Sequence, residues 1–112
     1  MTAAQFRLLA LSLPGTEEAE HCGHPDFRAH GRVFASLGYP DSGHGMVRLR
    51  PEQQEAFIER APHLFSPCKG AWGRNGATAV LLSAATRASL LPALAAAHEN
   101  AGLPAKKRRR AT

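Results

Sequence analysis

The sequence predicts an α+β fold, in which an antiparallel β-sheet carries N-terminal, middle and C-terminal helices packed on one face. Two observations predict this class: apolar residues recur at helical spacing in three separate stretches, and short β-like runs bounded by Gly and Pro lie between those stretches. Strands joined by short turns favour antiparallel pairing, which leaves one face of the sheet for the helices. A chain of 112 residues is expected to form a single domain, here over residues 1–104.

The first helix is predicted from Met1 to Leu13. Thr2 and Gln5 have the spacing of a capping box, in which each side chain accepts a hydrogen bond from the other residue's backbone amide. Pro14 and Gly15 end the helix. Its apolar residues form one stripe at helical spacing, consisting of Phe6, Leu9, Ala10 and Leu13.

Short strands and turns are predicted from about Ala19 to Arg50. His30 and Gly31 are expected to form a tight hairpin turn, because Gly accepts positive φ and His tolerates it better than most residues. With this turn, Phe27 is expected directly opposite Phe34, and such an aromatic pair contributes roughly 0.2–1 kcal/mol.

The run from Met46 to Arg50 alternates apolar and basic residues and predicts a further strand. Its period of two places Val47 and Leu49 on one face of the sheet and the two arginines, Arg48 and Arg50, on the other. The arginines are therefore expected to lie outside the core.

The second helix is predicted to begin at Pro51 and to end near Arg60. Its expected core contacts are Ala56, Phe57 and Ile58. The segment from Ala61 to Gly76 is rich in Pro and Gly and is expected to be irregular, with Leu64 and Phe65 as a short edge strand.

A central strand is predicted from Ala77 to Ser83, because this run is apolar and contains β-branched residues. The last helix is predicted to end near Gly102. Its N-cap is expected to be Ser89, which puts Pro92 in the first turn, where a missing amide hydrogen does no harm. A cap at Thr86 is the alternative, and it would kink the helix.

The positive charge of the chain is concentrated in a predicted disordered tail over residues 105–112. The formal net charge is +5, and the tail residues Lys106, Lys107, Arg108, Arg109 and Arg110 account for all of it, so the body is formally neutral. Adjacent cations on a flexible segment suit phosphate contacts, although a solvated tail that aids solubility fits the same residues.

On the body, several basic residues are candidates for one surface with Trp72 or Tyr39 beside them, a combination typical of proteins that bind nucleic acid. These residues are Arg28, Arg32, Arg48, Arg50, Lys69 and Arg74. A single Trp before a core strand is also typical of simple packing.

Residues 21–30 concentrate histidine, cysteine and aspartate. In an extended strand Cys22 and His24 would share a face while His21 pointed away, so Cys22, His24 and Asp26 form the one set worth testing for metal. A polar strand and turn explain these residues without a ligand, and we predict neither a bound metal nor a catalytic role for Cys22.

Several short motifs resemble those of the MmcQ/YjbR family, in the same order along the chain. They are Leu13-Pro14-Gly15-Thr16-Glu17-Glu18, Gly23-His24-Pro25-Asp26-Phe27-Arg28, Gly31-Arg32-Val33-Phe34-Ala35-Ser36-Leu37, Val47-Arg48-Leu49 and Gly70-Ala71-Trp72-Gly73. The resemblance covers about residues 3–102 and does not include the basic tail. It implies a CyaY-like, or double-wing, fold in a bacterial cytoplasmic protein of the kind commonly described as DNA-binding, and it implies no catalytic constellation.

We therefore expect a cytoplasmic, non-enzymatic protein without a cofactor that binds nucleic acid, above all DNA, weakly and without strong sequence preference. The expected contact residues are Arg48, Arg50, Arg74, Lys106, Lys107, Arg108, Arg109 and Arg110. No apolar segment approaches the ~20 residues of a membrane helix, and a monomer is expected. The alternative is a protein-interaction or small-ligand-binding module with an incidental basic tail.

Overall fold

The structure, a computed structural model, describes residues 1–103 and contains four α-helices and six strands within that range. The helices are α1 (Ala3–Leu11), α2 (Pro51–Arg60), α3 (Gly70–Arg74) and α4 (Arg87–Ala101). The strands are β1 (Glu17–His21), β2 (His24–Ala29), β3 (Arg32–Leu37), β4 (His44–Arg48), β5 (Phe65–Pro67) and β6 (Ala77–Leu81). All neighbours pair antiparallel in the order β1-β2-β3-β4-β6-β5, which confirms the predicted α+β class. The predicted tail over residues 105–112 lies outside the described residues.

Helix α1 begins with the predicted capping box. The Gln5 amide donates to Thr2 Oγ1 over 3.1 Å, and the Thr2 amide donates to Gln5 Oε1 over 2.8 Å. Phe6, Leu9 and Ala10 are buried as predicted, whereas Leu13 lies beyond the end of the helix and is only half-buried.

Two tight hairpins join the first three strands. His30 and Gly31 turn between β2 and β3 with φ values of 55° and 76°, which confirms the predicted hairpin. Cys22 and Gly23 make a similar turn between β1 and β2, with φ values of 54° and 80°. Positive φ at both central residues gives a turn whose twist matches that of the flanking strands.

A β-bulge changes the register predicted for the second hairpin. Phe27 lies opposite Ala35, not Phe34, because the pairing shifts between Phe27 and Arg28 and Arg28 lies opposite Val33. The expected Phe27–Phe34 cross-strand pair is therefore wrong. The extra residue on β3 allows Phe34 and Ala35, although adjacent in sequence, both to be fully buried in the core.

The main core lies between one face of the sheet and helices α1 and α4, and we call this the covered face. Its cross-strand row consists of Phe27, Ala35, Val47 and Thr78. Helix α4 contacts β2, β3 and β4, and α1 packs on α4. The predicted packing of helices on one face is confirmed for α1, α2 and α4.

The opposite side, which we call the open face, carries the alternate residues of the same strands. Its cross-strand row consists of Asp26, Ser36, Met46 and Ala79. The short helix α3, which was not predicted, borders this side, because Trp72 packs against the cluster formed by Met46, Cys68, Ala77 and Ala79.

Helix α2 spans Pro51 to Arg60 as predicted, but it contacts the core differently. Ala56 is exposed and Phe57 and Ile58 are half-buried, while the buried residue is Gln54. The Gln54 side-chain amide donates to three acceptors near the start of β6, at 3.0 Å to the carbonyls of Gly73 and Ala77 and 3.1 Å to Thr78 Oγ1. A polar residue can be buried here because its amide finds these acceptors, although the two carbonyls also accept backbone amides.

Two strands in the last third of the chain have the predicted places in the sheet but different ends. Strand β5 lies at the sheet edge, as predicted, but runs from Phe65 to Pro67, and β6 is interior because it pairs with both β4 and β5. Strand β6 ends at Leu81 and not at Ser83, because Leu82–Ala84 form a 3-10 helix. The N-cap of α4 is Thr86, not Ser89: Thr86 Oγ1 accepts from the Ser89 amide over 3.1 Å, and Ser89 Oγ accepts from the Thr86 amide over 2.9 Å. This reciprocal cap starts α4 three residues early and leaves Pro92 inside the helix at an exposed position.

Candidate functional site

A groove of about 410 Å³ runs over the open face, and we call it the open-face groove. Its floor comes from the cross-strand row of Asp26, Ser36 and Met46. Tyr39 and Trp72 also line it. The groove exists because helices cover only the other side of these strands.

An ion pair on β2 fixes one arginine in the open-face groove. Arg28 donates through Nε to Asp26 Oδ1 over 2.9 Å and through Nη2 to Oδ2 over 3.1 Å. Asp26 is only 4% exposed, whereas Arg28 remains partly accessible. The hydrogen bond to Asp26, together with its charge, raises the pKa of Arg28. Asp26 thus orients the guanidinium and offsets much of its charge.

The aromatic part of the groove is an edge-to-face pair. The rings of Tyr39 and Trp72 lie 4.9 Å apart at 69°, and both side chains are half-buried. The two interpretations of Trp72 in the sequence, packing and binding, are therefore compatible. Its ring packs beside Met46 while it also lines the groove.

The cluster of histidine and cysteine has a different geometry from the one expected. His21 and His24 are cross-strand partners and so share a face, while Cys22 lies in the turn between them. The expected separation of His21 from His24 is wrong, because the chain reverses at Cys22 instead of continuing as a strand. Nowhere in residues 1–103 do three or more His, Cys, Asp or Glu side chains form a group that could hold a metal ion, and Cys22, His24 and Asp26 are no exception.

The two cysteines are both free but differ in environment. Cys22 is exposed at the hairpin turn, and Cys68 is buried beside the open face. Burial raises the pKa of the Cys68 thiol to about 11, because a thiolate is poorly solvated there. Cys68 is therefore a packing residue and not an activated nucleophile.

A second groove, of about 630 Å³, lies where β3 begins and β4 ends, and we call it the arginine groove. Arg32, Arg48 and Arg50 all line it, together with one acidic residue, Glu52. Arg50 Nε lies 3.3 Å from Glu52 Oε2; Arg50 is half-buried and Glu52 is exposed. Since Arg48 also lines the open-face groove, the two grooves adjoin at this residue.

The chain leaves the described part of the structure at the arginine groove. Arg32 Nη1 donates to the Leu103 carbonyl over 2.5 Å, which holds the last described residue beside the groove. An extended chain from Leu103 reaches Lys106 within about 10 Å and Arg110 within about 25 Å. Lys106 to Arg110 themselves lie outside the described residues, so their predicted contact role is not tested.

The body arginines named in the sequence divide into two groups. Four of them line the two adjoining grooves: Arg28, Arg32, Arg48 and Arg50. Arg74 is exposed at the end of α3 and Lys69 precedes that helix, and neither lines these grooves, although Asn75 does. The sequence favoured Arg74 over Arg32 as a contact residue. The place of Arg32 beside the groove depends on its hydrogen bond to Leu103, 71 residues away, which local sequence patterns do not reveal.

Comparisons with known proteins agree with this fold. A family model described as YjbR matches residues 11–100. The crystal structure of Deinococcus radiodurans protein DR2400, with a DUF419 domain, is similar with a TM-score of 0.70 at 16% sequence identity, over 92% of this chain and 89% of that chain. At this identity the likeness shows the fold alone. No curated protein matches the chain, and none of the described helices has the length and apolar character needed to span a membrane.

Proposed function

The chain belongs to the YjbR family, and on this premise we propose that it binds nucleic acid, above all DNA, weakly and without strong sequence preference. The observation that carries the proposal is the convergence of Arg32, Arg48 and Arg50 on one groove beside Leu103, from which the basic segment Lys106–Arg110 follows. The proposed role is non-enzymatic, cytoplasmic and monomeric.

The chemistry of the arginine groove supports phosphate binding. A guanidinium is planar and presents several N–H donors in a geometry that matches phosphate oxygens. The body is formally neutral, so three arginines with one acidic neighbour in a single groove represent a local concentration of charge. Phosphate contacts position nucleic acid without reading its sequence, which is why no strong sequence preference is proposed.

The proposal predicts how the affinity for DNA changes with salt concentration. Each neutralised phosphate contributes about −0.9 to the log–log slope of affinity against salt on B-DNA, so the five tail cations together contribute about −4.5. Three groove arginines add about −2.7 on the same basis. Truncation after Pro104 and substitution of the groove arginines should therefore lower the slope by different amounts.

The test is a titration of a labelled mixed-sequence DNA, as a single strand and as a duplex, at two salt concentrations. The full chain is compared with a chain ending at Pro104 and with an Arg32→Ala/Arg48→Ala/Arg50→Ala variant. We expect the truncated chain and the triple variant each to bind at least about tenfold more weakly at low salt and to show reduced slopes.

A matched control removes three arginines from the helices: Arg7→Ala/Arg60→Ala/Arg87→Ala. This variant has the same net charge as the groove variant. A difference in DNA affinity between the two therefore reports the position of the arginines and not the overall charge. Nucleic-acid binding is refuted if neither DNA form binds the full chain at low salt, and the groove is refuted as the site if both triple variants weaken binding equally.

A small-ligand or protein-interaction role is the second candidate, and the open-face groove favours it. A volume of about 410 Å³ lies within the roughly 300–1,000 Å³ typical of ligand pockets. The buried Asp26 holds Arg28 in a fixed position there, as specific ligand sites do with their polar groups.

A further inference from the structure

We infer that the open-face groove receives an unpaired base, so that the nucleic acid this chain prefers is single-stranded. The inference rests on the proposed function and adds to it the class of nucleic acid that is bound. Phosphates would lie on the arginine groove, and a neighbouring base would enter the open-face groove.

The first observation that carries the inference is that the two grooves adjoin. Arg48 on β4 and Val33 on the neighbouring strand β3 line both of them. A backbone bound at Arg48 and Arg50 therefore lies at the entrance of the open-face groove. A base attached to that backbone can therefore enter the open-face groove.

The aromatic pair is the second observation. In an edge-to-face arrangement one ring uses only its edge, so the contact between Tyr39 and Trp72 does not occupy both faces of both rings. Both rings line the groove, and Met46 adds apolar surface next to them. Bases of any kind stack on such side chains, and this stacking gives single-strand binding without sequence preference.

Geometry excludes a paired base from the same contact. Within a duplex a base is stacked on both sides and offers only its edges to the grooves. The face of the Trp72 or Tyr39 ring can therefore meet the face of a base only if that base is unpaired. The open-face groove would thus distinguish a single strand from a duplex, whereas the arginine groove would bind the phosphates of either.

A positioned hydrogen-bond donor completes the site. The ion pair uses Nε and Nη2 of Arg28, which leaves Nη1 to donate to a carbonyl or ring nitrogen of the base. The buried Asp26 fixes this donor at the groove. The combination of stacking rings and one fixed donor matches a nucleobase better than it matches a bare phosphate.

The chain contains one tryptophan, so its fluorescence reports directly on the groove. The test titrates the full chain with a single-stranded 10-mer of thymidine and with a duplex of equal length, following both the anisotropy of the labelled DNA and Trp72 emission. We expect the single strand to bind about tenfold more tightly than the duplex and to quench Trp72 on saturation, since stacking is worth about a factor of ten or more per base. The duplex at saturation should leave Trp72 emission nearly unchanged.

Two controls do not depend on Trp72 fluorescence. A 10-mer with abasic sites retains the phosphates and should lose the tenfold advantage. Tyr39→Leu and Trp72→Leu should lose the same advantage, while Trp72→Phe should keep most of it because it retains a ring; thermal unfolding of each variant confirms that it folds.

The outcomes separate the two proposals. If the duplex and the single strand bind equally, or if the abasic 10-mer binds as well as the intact one, the base-binding site is wrong while nucleic-acid binding stands. If neither form binds at low salt, the proposed function itself fails.

Discussion

Two neighbouring rows of residues on the same strands differ in what covers them. The row on the covered face is Phe27, Ala35, Val47 and Thr78, all fully buried beneath the helices. The row on the open face is Asp26, Ser36, Met46 and Ala79, which is mostly buried as well, but beneath charged and aromatic side chains that solvent reaches. Each residue of one row is adjacent in sequence to a residue of the other.

This difference follows from the period of two along a strand. Successive side chains point to opposite faces, so β2, β3, β4 and β6 each supply one face to the core and the other to the grooves. Burial of apolar area on the covered face provides most of the stability of such a domain. The open face is therefore free to carry polar residues, and single substitutions should separate stability from binding.

The largest expected effect is on stability and comes from Phe34→Ala. The Phe34 side chain is fully buried and meets the His98 ring edge to face at 5.3 Å. Removing it leaves a cavity, so we expect the free energy of unfolding to fall by about 3–5 kcal/mol. Urea unfolding measures this loss.

Arg48→Ala is the counterpart on the open face. Arg48 is exposed, and its removal should change the free energy of unfolding by less than about 0.5 kcal/mol while weakening DNA binding. Under conditions where it remains folded, Phe34→Ala should bind DNA as the parent chain does. If Arg48→Ala destabilised the fold as much as Phe34→Ala, the division between the two faces would be wrong.

Much of this division could be predicted from the sequence, because it depends on local periodicity. The capping box at Thr2, the turn at His30-Gly31 and the alternation around Arg48 were all predictable from neighbouring residues. The turn at Cys22-Gly23 was missed because Cys, unlike the His of the other turn, is not among the residues enriched at positive φ.

The remaining errors have two causes. The bulge in β3 reflects a tertiary effect, the burial of both Phe34 and Ala35. The cap at Thr86 reflects two competing local effects, because its reciprocal hydrogen bonds with Ser89 outweigh the cost of Pro92 within α4. The candidate site was predictable only in part. Arg48 and Arg50 could be named from the sequence, but the groove that Tyr39 and Trp72 line brings together residues far apart in the chain.

A smaller effect on stability than that of Phe34→Ala is expected at Gln54, which makes a buried polar contact on the covered face. Replacement of Gln54 by Leu keeps the volume similar but removes the side-chain donor, so the carbonyls of Gly73 and Ala77 keep only their backbone donors. Because a hydrogen bond contributes roughly 0.5–1.5 kcal/mol net, we expect a loss of about 1–2 kcal/mol in the free energy of unfolding. Gln54→Glu is the matched control, and it should destabilise more, because it buries a carboxylate next to carbonyl oxygens. A neutral effect of Gln54→Leu would show that apolar packing alone holds α2.

The smallest effect is expected at the loop between β3 and β4, which carries Tyr39 to the open-face groove. Asp41 accepts hydrogen bonds from His44 Nδ1 over 2.8 Å and from the Gly43 amide over 2.9 Å, and these bonds lower the pKa of Asp41 below its ordinary value of 3.8. A carboxyl with a lowered pKa stabilises the fold above its ordinary pKa, and the contribution is lost as the pH falls through the lowered value.

The difference in unfolding free energy between the parent chain and Asp41→Asn should therefore shrink as the pH falls below about pH 4. Asn keeps an acceptor for the Gly43 amide, so the comparison isolates the charge. Urea unfolding at a series of pH values measures it. A difference that stayed constant down to pH 2 would mean that the ionised carboxyl contributes nothing, and that the loop holding Tyr39 over the groove is fixed by its backbone alone.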